Sequence, residues 1–125
     1  MAITIEERES LDEERRDCTV LTISGRITLS ECHGELRNAV RGLIDRGRKQ
    51  IVLDLEAVPF VDSAGLGELV GSYASVVRLE GTLRLTGVNP RVRDALDSVG
   101  LGSILRIVTL PRRASAPTAT ARKKP

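Results

Sequence analysis

Ile51-Val52-Leu53-Asp54-Leu55-Glu56-Ala57-Val58-Pro59-Phe60-Val61-Asp62-Ser63-Ala64-Gly65-Leu66-Gly67 is the stretch on which the fold turns. Ile51 to Leu55 is a near-continuous apolar run, the pattern of a strand covered on both faces. Pro59 marks a turn over Ala57–Asp62. From Ser63, the residues Leu66, Leu69, Val70, Tyr73 and Val77 recur at helical spacing, and Gly81 ends that helix. Of its apolar residues, Leu69 and Val70 are expected in the core, and Leu66 is left between core and surface.

Working outward, the same alternation continues. Thr82–Thr86 reads as a strand. Asn89-Pro90 opens a helix with Asn89 as N-cap and Pro90 at the first helical position, where a missing N–H costs nothing. Val92, Ala95, Leu96 and Val99 form its buried face, Gly100 closes it, and Ile104–Leu110 is a last strand. Upstream, Ile3–Arg8 reads as a short strand, Glu9–Asp17 as a charged connection and Cys18–Ser24 as a second strand stopped by Gly25, together a hairpin. Ser30 to Arg46 places Leu36, Ala39, Val40, Leu43 and Ile44 at helical spacing, with Ser30 as N-cap and Gly47 as C-cap. The order β-β-α-β-α-β-α-β predicts an α/β fold: a single domain with a small mixed β-sheet and helices packed against it.

At 125 residues the chain fits one domain able to bury a core without a disulfide or metal. The net charge of +2, one Phe, one Tyr and no Trp point away from nucleic-acid binding. Cys18 and Cys32 are too far apart for a CxxC centre, and no metal or cofactor is expected. No signal peptide or membrane span is apparent, so a cytoplasmic protein is expected. The segment 111–125 holds five basic residues, no acid and three prolines, which leaves residues 1–110 with a net charge of −3. Residues 1–110 are therefore read as the domain and 111–125 as a basic, disordered tail.

The search for catalytic groups returns little. There is no phosphate-cradling GxxxxGK[ST], and Gly65-Leu66-Gly67-Glu68-Leu69-Val70 has Val where GxGxxG needs its third glycine. His33, the sole histidine, adjoins Cys32, but neighbours on a helix diverge by about 100° and are poorly placed to hydrogen-bond as a nucleophile–base pair. The notable segment is Asp62-Ser63-Ala64-Gly65-Leu66-Gly67. Spacing alone leaves two readings. Asp62 or Ser63 caps the helix and the glycines allow helix–strand packing, the reading that cap frequencies favour. Alternatively, two glycines in one first turn keep a surface low for a partner, with Ser63 at a helix end that tolerates an anion.

That segment, with its preceding strand, resembles the signature of STAS domains, and more narrowly that of bacterial anti-sigma factor antagonists. The resemblance extends to Gly25-Arg26-Ile27-Thr28, Gly81-Thr82-Leu83-Arg84-Leu85, Asn89-Pro90-Arg91-Val92-Arg93 and Ser98-Val99-Gly100-Leu101, and spans residues 3–110. It implies that Ser63 is a phosphoacceptor. It implies partner switching: the unphosphorylated protein binds a serine-kinase anti-sigma factor, phosphorylation ends the complex, and a phosphatase restores it. The protein would be a substrate and binding module, not an enzyme. The implied binding surface is Asp62, Ser63, Gly65, Leu66 and Gly67, with Thr28 and Ser30 nearby. Thr28 stands where many antagonists carry an acid, and Pro111 and Pro117 interrupt the place of the family's closing helix. The alternative within this resemblance is a small STAS subunit of a lipid-trafficking ABC transporter that binds its ATPase.

Overall fold

The computed structural model describes residues 3–12, 14–32 and 34–108. Thr4–Leu11 (β1) and Asp17–Ser24 (β2) form an antiparallel hairpin with Ile5 opposite Ile23 and Leu11 opposite Asp17. The first strand runs three residues beyond its apolar alternation, because ladder pairing continues through the polar residues Glu9 and Ser10. The expected charged connection shrinks to a tight turn. Asp12 closes it: its Oδ1 accepts from the backbone N–H of Glu14 and of Arg16, each at 2.8 Å.

The chain then alternates. Leu29–Cys32 (α1) and Glu35–Asp45 (α2) lead into Gln50–Ala57 (β3); Ser63–Arg78 (α3) leads into Thr82–Thr86 (β4); Pro90–Ser98 (α4) and a 3₁₀ turn at Leu101–Ser103 lead into Arg106–Ile107 (β5). The strands lie in the order β1-β2-β3-β4-β5, parallel from β2 onward. Side-by-side parallel strands joined by crossovers of one hand place their helices on one face of the sheet. The core bears this out: Leu21, Ile51, Leu53 and Leu85 cluster with Leu36 and Leu43 of α2, Leu69 of α3 and Leu96 of α4. The alternate strand residues Cys18, Val20 and Val52 join Val108 in a second, smaller cluster. β3 thus reads as a continuous apolar run because both its faces are buried.

The other differences from expectation have physical causes. The helix expected over Ser30–Arg46 is two helices, broken at Gly34, whose φ of +81° leaves the right-handed path. Ser30 lies inside α1 and is not its cap; Thr28 precedes the helix, and its carbonyl accepts from the N–H of Glu31 (3.2 Å) and Cys32 (2.9 Å). At the other end the C-cap is Arg46, and Gly47 is the left-handed residue just after it (φ +81°), with its N–H on the Ile44 carbonyl and that of Arg48 on Leu43, both at 2.9 Å.

In α3 the buried face is Gly65, Leu66, Leu69, Ser72 and Val76, so two small residues occupy core positions and the large Val70 and Val77 turn outward. Glu80, at φ +62°, takes the left-handed position after this helix. Gly81 follows it, and a Cβ there would meet the Lys49 carbonyl.

Val99 is exposed because it lies at the C-cap of α4, past the last full turn. Among the described residues of the strand expected over Ile104–Leu110, only Arg106–Ile107 form a strand, since the N–H groups of Ile104 and Leu105 are spent on the Leu101 carbonyl of the 3₁₀ turn. Its last two positions, and the segment 111–125, lie outside the described residues.

Candidate partner-binding site

Parallel strands deliver their loops to one edge of the sheet. Here the loops after β2 and β3 meet at that edge and are stitched together. Ile27 forms a parallel bridge with Val61. The Ile27 N–H donates to the Phe60 carbonyl at 3.1 Å, and the Asp62 N–H donates to the Ile27 carbonyl at 3.3 Å. Asn89 ties in the third loop: its Nδ2 donates to the Val58 carbonyl (3.0 Å) while its Oδ1 caps α4 through the Val92 N–H (2.8 Å). Arg91 lies over the Phe60 ring at 5.2 Å, a cation–π contact that steadies the loop after β3.

Asp62 is the N-cap of α3, with extended backbone. Its Oδ1 accepts from the Gly65 N–H at 2.8 Å, and its Oδ2 accepts from the Leu29 N–H at 3.1 Å. One carboxylate therefore caps two helices, α3 and α1, and welds their N-termini side by side. Thr28 is buried at the same junction. Its hydroxyl donates to Glu31 Oε1 at 3.2 Å and lies 3.5 Å from the Ser30 hydroxyl, and Arg26 pairs with Glu31 at 2.9 Å.

Ser63 is the first residue of α3 and is exposed; its hydroxyl has no hydrogen-bond partner among the described residues. The two glycines that follow differ. A Cβ on Gly65 would run into the Ile27 carbonyl and the Val61 side chain, so this glycine exists for internal packing. A Cβ on Gly67 would meet nothing within 4 Å, and the residue is exposed. Of the seven residues the sequence assigns to a binding surface, Ser30, Ser63 and Gly67 are exposed and Asp62 is partly so. Thr28, Gly65 and Leu66 are buried. Asp62 and Gly65 thus carry the cap-and-packing reading, and Ser63 and Gly67 remain open to solvent.

The two cysteines lie away from the surface. Cys32 is buried, its thiol lies 3.5 Å from Glu68 Oε1, and burial pushes its pKa up. Cys18 is likewise buried and raised. His33 lies outside the described residues. Among the described residues no three His, Cys, Asp or Glu side chains are grouped to hold a metal, and no helix is long and apolar enough to cross a membrane.

The model of the STAS domain family matches residues 10–114. The chain belongs to that family. Curated relatives include the anti-sigma F factor antagonist of Paenibacillus polymyxa, 39% identical over 59 residues, which cover 47% of this chain and 50% of the relative. The match therefore spans half the length of that relative. Among solved structures, an anti-sigma factor antagonist from Mycobacterium paratuberculosis superposes with a TM-score of 0.70 at 22% identity, covering 86% of each chain. The phosphorylated form of the Bacillus cell-fate determinant SpoIIAA superposes at 0.62 with 20% identity, over 85% of this chain and 92% of that one. At such identities these structures establish the STAS fold.

One exposed residue beside Asp62 has no place in the sequence reading. Leu29, whose N–H rests on Asp62, is 71% exposed. Leu29 is the first residue of α1, whose buried residue is Cys32, and no spacing in the sequence singles it out.

Proposed function

We propose that this STAS domain is an anti-sigma factor antagonist that binds a serine-kinase anti-sigma factor while Ser63 is unphosphorylated and releases it once Ser63 carries phosphate. The observation that carries the reading is the state of Ser63: exposed at the first position of α3, its hydroxyl without a partner among the described residues, one turn from the open Gly67. The relatives support the same reading, since one is named for antagonism of an anti-sigma factor and another has been solved in a phosphorylated form. The binding surface in this reading is Ser63, Gly67 and Ser30, joined by Leu29. Asp62, Thr28, Gly65 and Leu66 hold that surface in shape from beneath.

Phosphate at Ser63 would add about −2 charge at a helix end whose dipole tolerates it, so the domain stays folded. The complex does not tolerate it: a charge carried into a close apolar contact loses its water without gaining a partner. A separate phosphatase restores binding, and the exchange takes place in the cytoplasm between soluble proteins. The domain acts as substrate and binding module, not as catalyst. In this proposal residues 1–110 form the working domain and 111–125 an appendage dispensable for it, although the family match runs to residue 114.

The test is phosphorylation by a serine-kinase anti-sigma factor with ATP, read by mass spectrometry, and titration of that kinase onto both forms. Modification at Ser63 and a loss of two or more decades in affinity, roughly 3 kcal/mol, are expected. Ser63→Ala should stay unmodified and bound. Modification elsewhere, or equal affinity of both forms, would overturn the proposal.

A further inference from the structure

The Ser63 end accounts for only the first turn of α3; the rest of its outer face is unexplained. Sixteen residues long, α3 carries just two charged side chains, Glu68 and Arg78. Glu68 points at the α1–α2 junction, where it accepts from the Arg37 N–H of α2 (3.3 Å) and the Cys32 thiol of α1. The outer face is Ser63, Gly67, Val70, Ala74 and Val77, all exposed, at steps of four, three, four and three residues. Val70 and Val77 are each 44% exposed. A surface helix ordinarily turns charged and polar residues to water. From Gly67 to Val77 this face carries no charge or polar side chain, and a contiguous exposed apolar patch marks a contact with another protein. With Leu29 at its head, the face runs about 21 Å at 1.5 Å per residue, and its spacing is that of a helix–helix seam.

The flank of this face says what kind of partner fits. On the α2 side, Arg37 lies across α3: its Nε stands 2.6 Å from where a Cβ on Gly71 would be. Arg41 follows one turn later on α2, and Arg78 ends α3. All three are exposed, and none forms an ion pair with a described residue. Asp45 follows a turn beyond Arg41 without pairing to it. A row of unpaired arginines beside an apolar seam complements a row of acids. A second copy of this chain, docked antiparallel, would set the two arginine rows against each other.

We infer that the outer face of α3, from Ser63 to Val77, docks an acidic amphipathic helix of a partner protein, its apolar seam on Val70, Ala74 and Val77 and its acids on Arg37 and Arg41. The inference goes beyond the phosphorylation reading and needs no kinase, so either can fail alone.

The test uses the full ¹⁵N-labelled chain and two synthetic helical peptides of roughly 15 residues, long enough to cover the face. They share one Leu/Ala seam; Glu flanks it in one and Lys in the other. The Glu peptide is expected to shift the amide resonances of Gly67, Val70, Ala74 and Val77, and to bind at least about tenfold more tightly than the Lys peptide. Val70→Asp, at an exposed position and with an unchanged circular dichroism spectrum, should abolish the shifts. The double change Arg37→Glu, Arg41→Glu should reverse the preference between peptides. Absence of binding, shifts confined to other elements, or equal affinity for both peptides would overturn the inference. So would concentration-dependent self-association through α3, which would make a second copy the occupant.

Discussion

Asp62 holds the site together through two hydrogen bonds from one carboxylate, to Gly65 in α3 and to Leu29 in α1. Losing a cap costs about 1 kcal/mol, so Asp62→Ala should cost about 2 kcal/mol by urea denaturation, roughly twice an ordinary cap. A loss below about 1 kcal/mol would mean that one of the two bonds contributes nothing. The glycines give a sharper pair. Gly65→Ala forces a methyl against the Ile27 carbonyl, a fixed backbone atom, and should cost about 3 kcal/mol, at the upper end of overpacking. Gly67→Ala meets open space inside a helix and should stabilise by up to about 1 kcal/mol. Opposite signs at residues two apart, read as shifts of the denaturation midpoint, are the expected result. The sequence shows both as glycines in a helix's first turn. Which one touches the Ile27 carbonyl depends on a loop 38 residues upstream, and no local pattern reports that.

At the scale of elements, the sequence is most legible where one residue does one local task. Asn89 and Pro90 open α4, and Gly47 closes α2, because capping chemistry is settled within a few residues. The buried run of β3 and the parallel order follow from alternation of strands and helices. Legibility fails where tertiary packing chooses among equivalents. Ser72 and Gly65 take core positions in α3 while Val70 and Val77 face water, so counting large apolar residues points to the wrong stripe. The end of α3 is a second case. The glycine at 81 draws attention, yet Glu80 carries the positive φ of +62°. A non-glycine residue there is strained by about 1 kcal/mol. Glu80→Gly should relieve this and raise stability by up to about that amount, whereas Gly81→Ala should lower it by driving a methyl into the Lys49 carbonyl. Thermal melts of the two variants should move in opposite directions.

Across the whole molecule, the face of the sheet away from the helices is held by charge as well as by Cys18, Val20, Val52 and Val108. Asp12, at the hairpin turn, is buried. Its Oδ2 lies 3.1 Å from Arg16 Nε and 3.6 Å from Nη2 of the buried Arg84 on β4, so the turn reaches across the sheet. Arg84 Nε and Nη2 make no hydrogen bond among the described residues, which leaves the ion pair as their compensation. The Arg16 backbone N–H, assisted by that of Glu14 and by the Arg16 guanidinium, holds the Asp12 carboxyl below its ordinary 3.8 against the opposing effect of burial. A carboxylate depressed on folding stabilises the native state above its unfolded pKa, and the contribution is lost as pH falls through the folded one. Asp12→Asn should therefore lower the urea midpoint at neutral pH. The gap between variant and wild type should hold down to the ordinary carboxylate range, then narrow below 3.8 and close once the folded group is protonated. A gap that stayed constant into strong acid would show that Asp12 works through the shape of its turn and not through its charge.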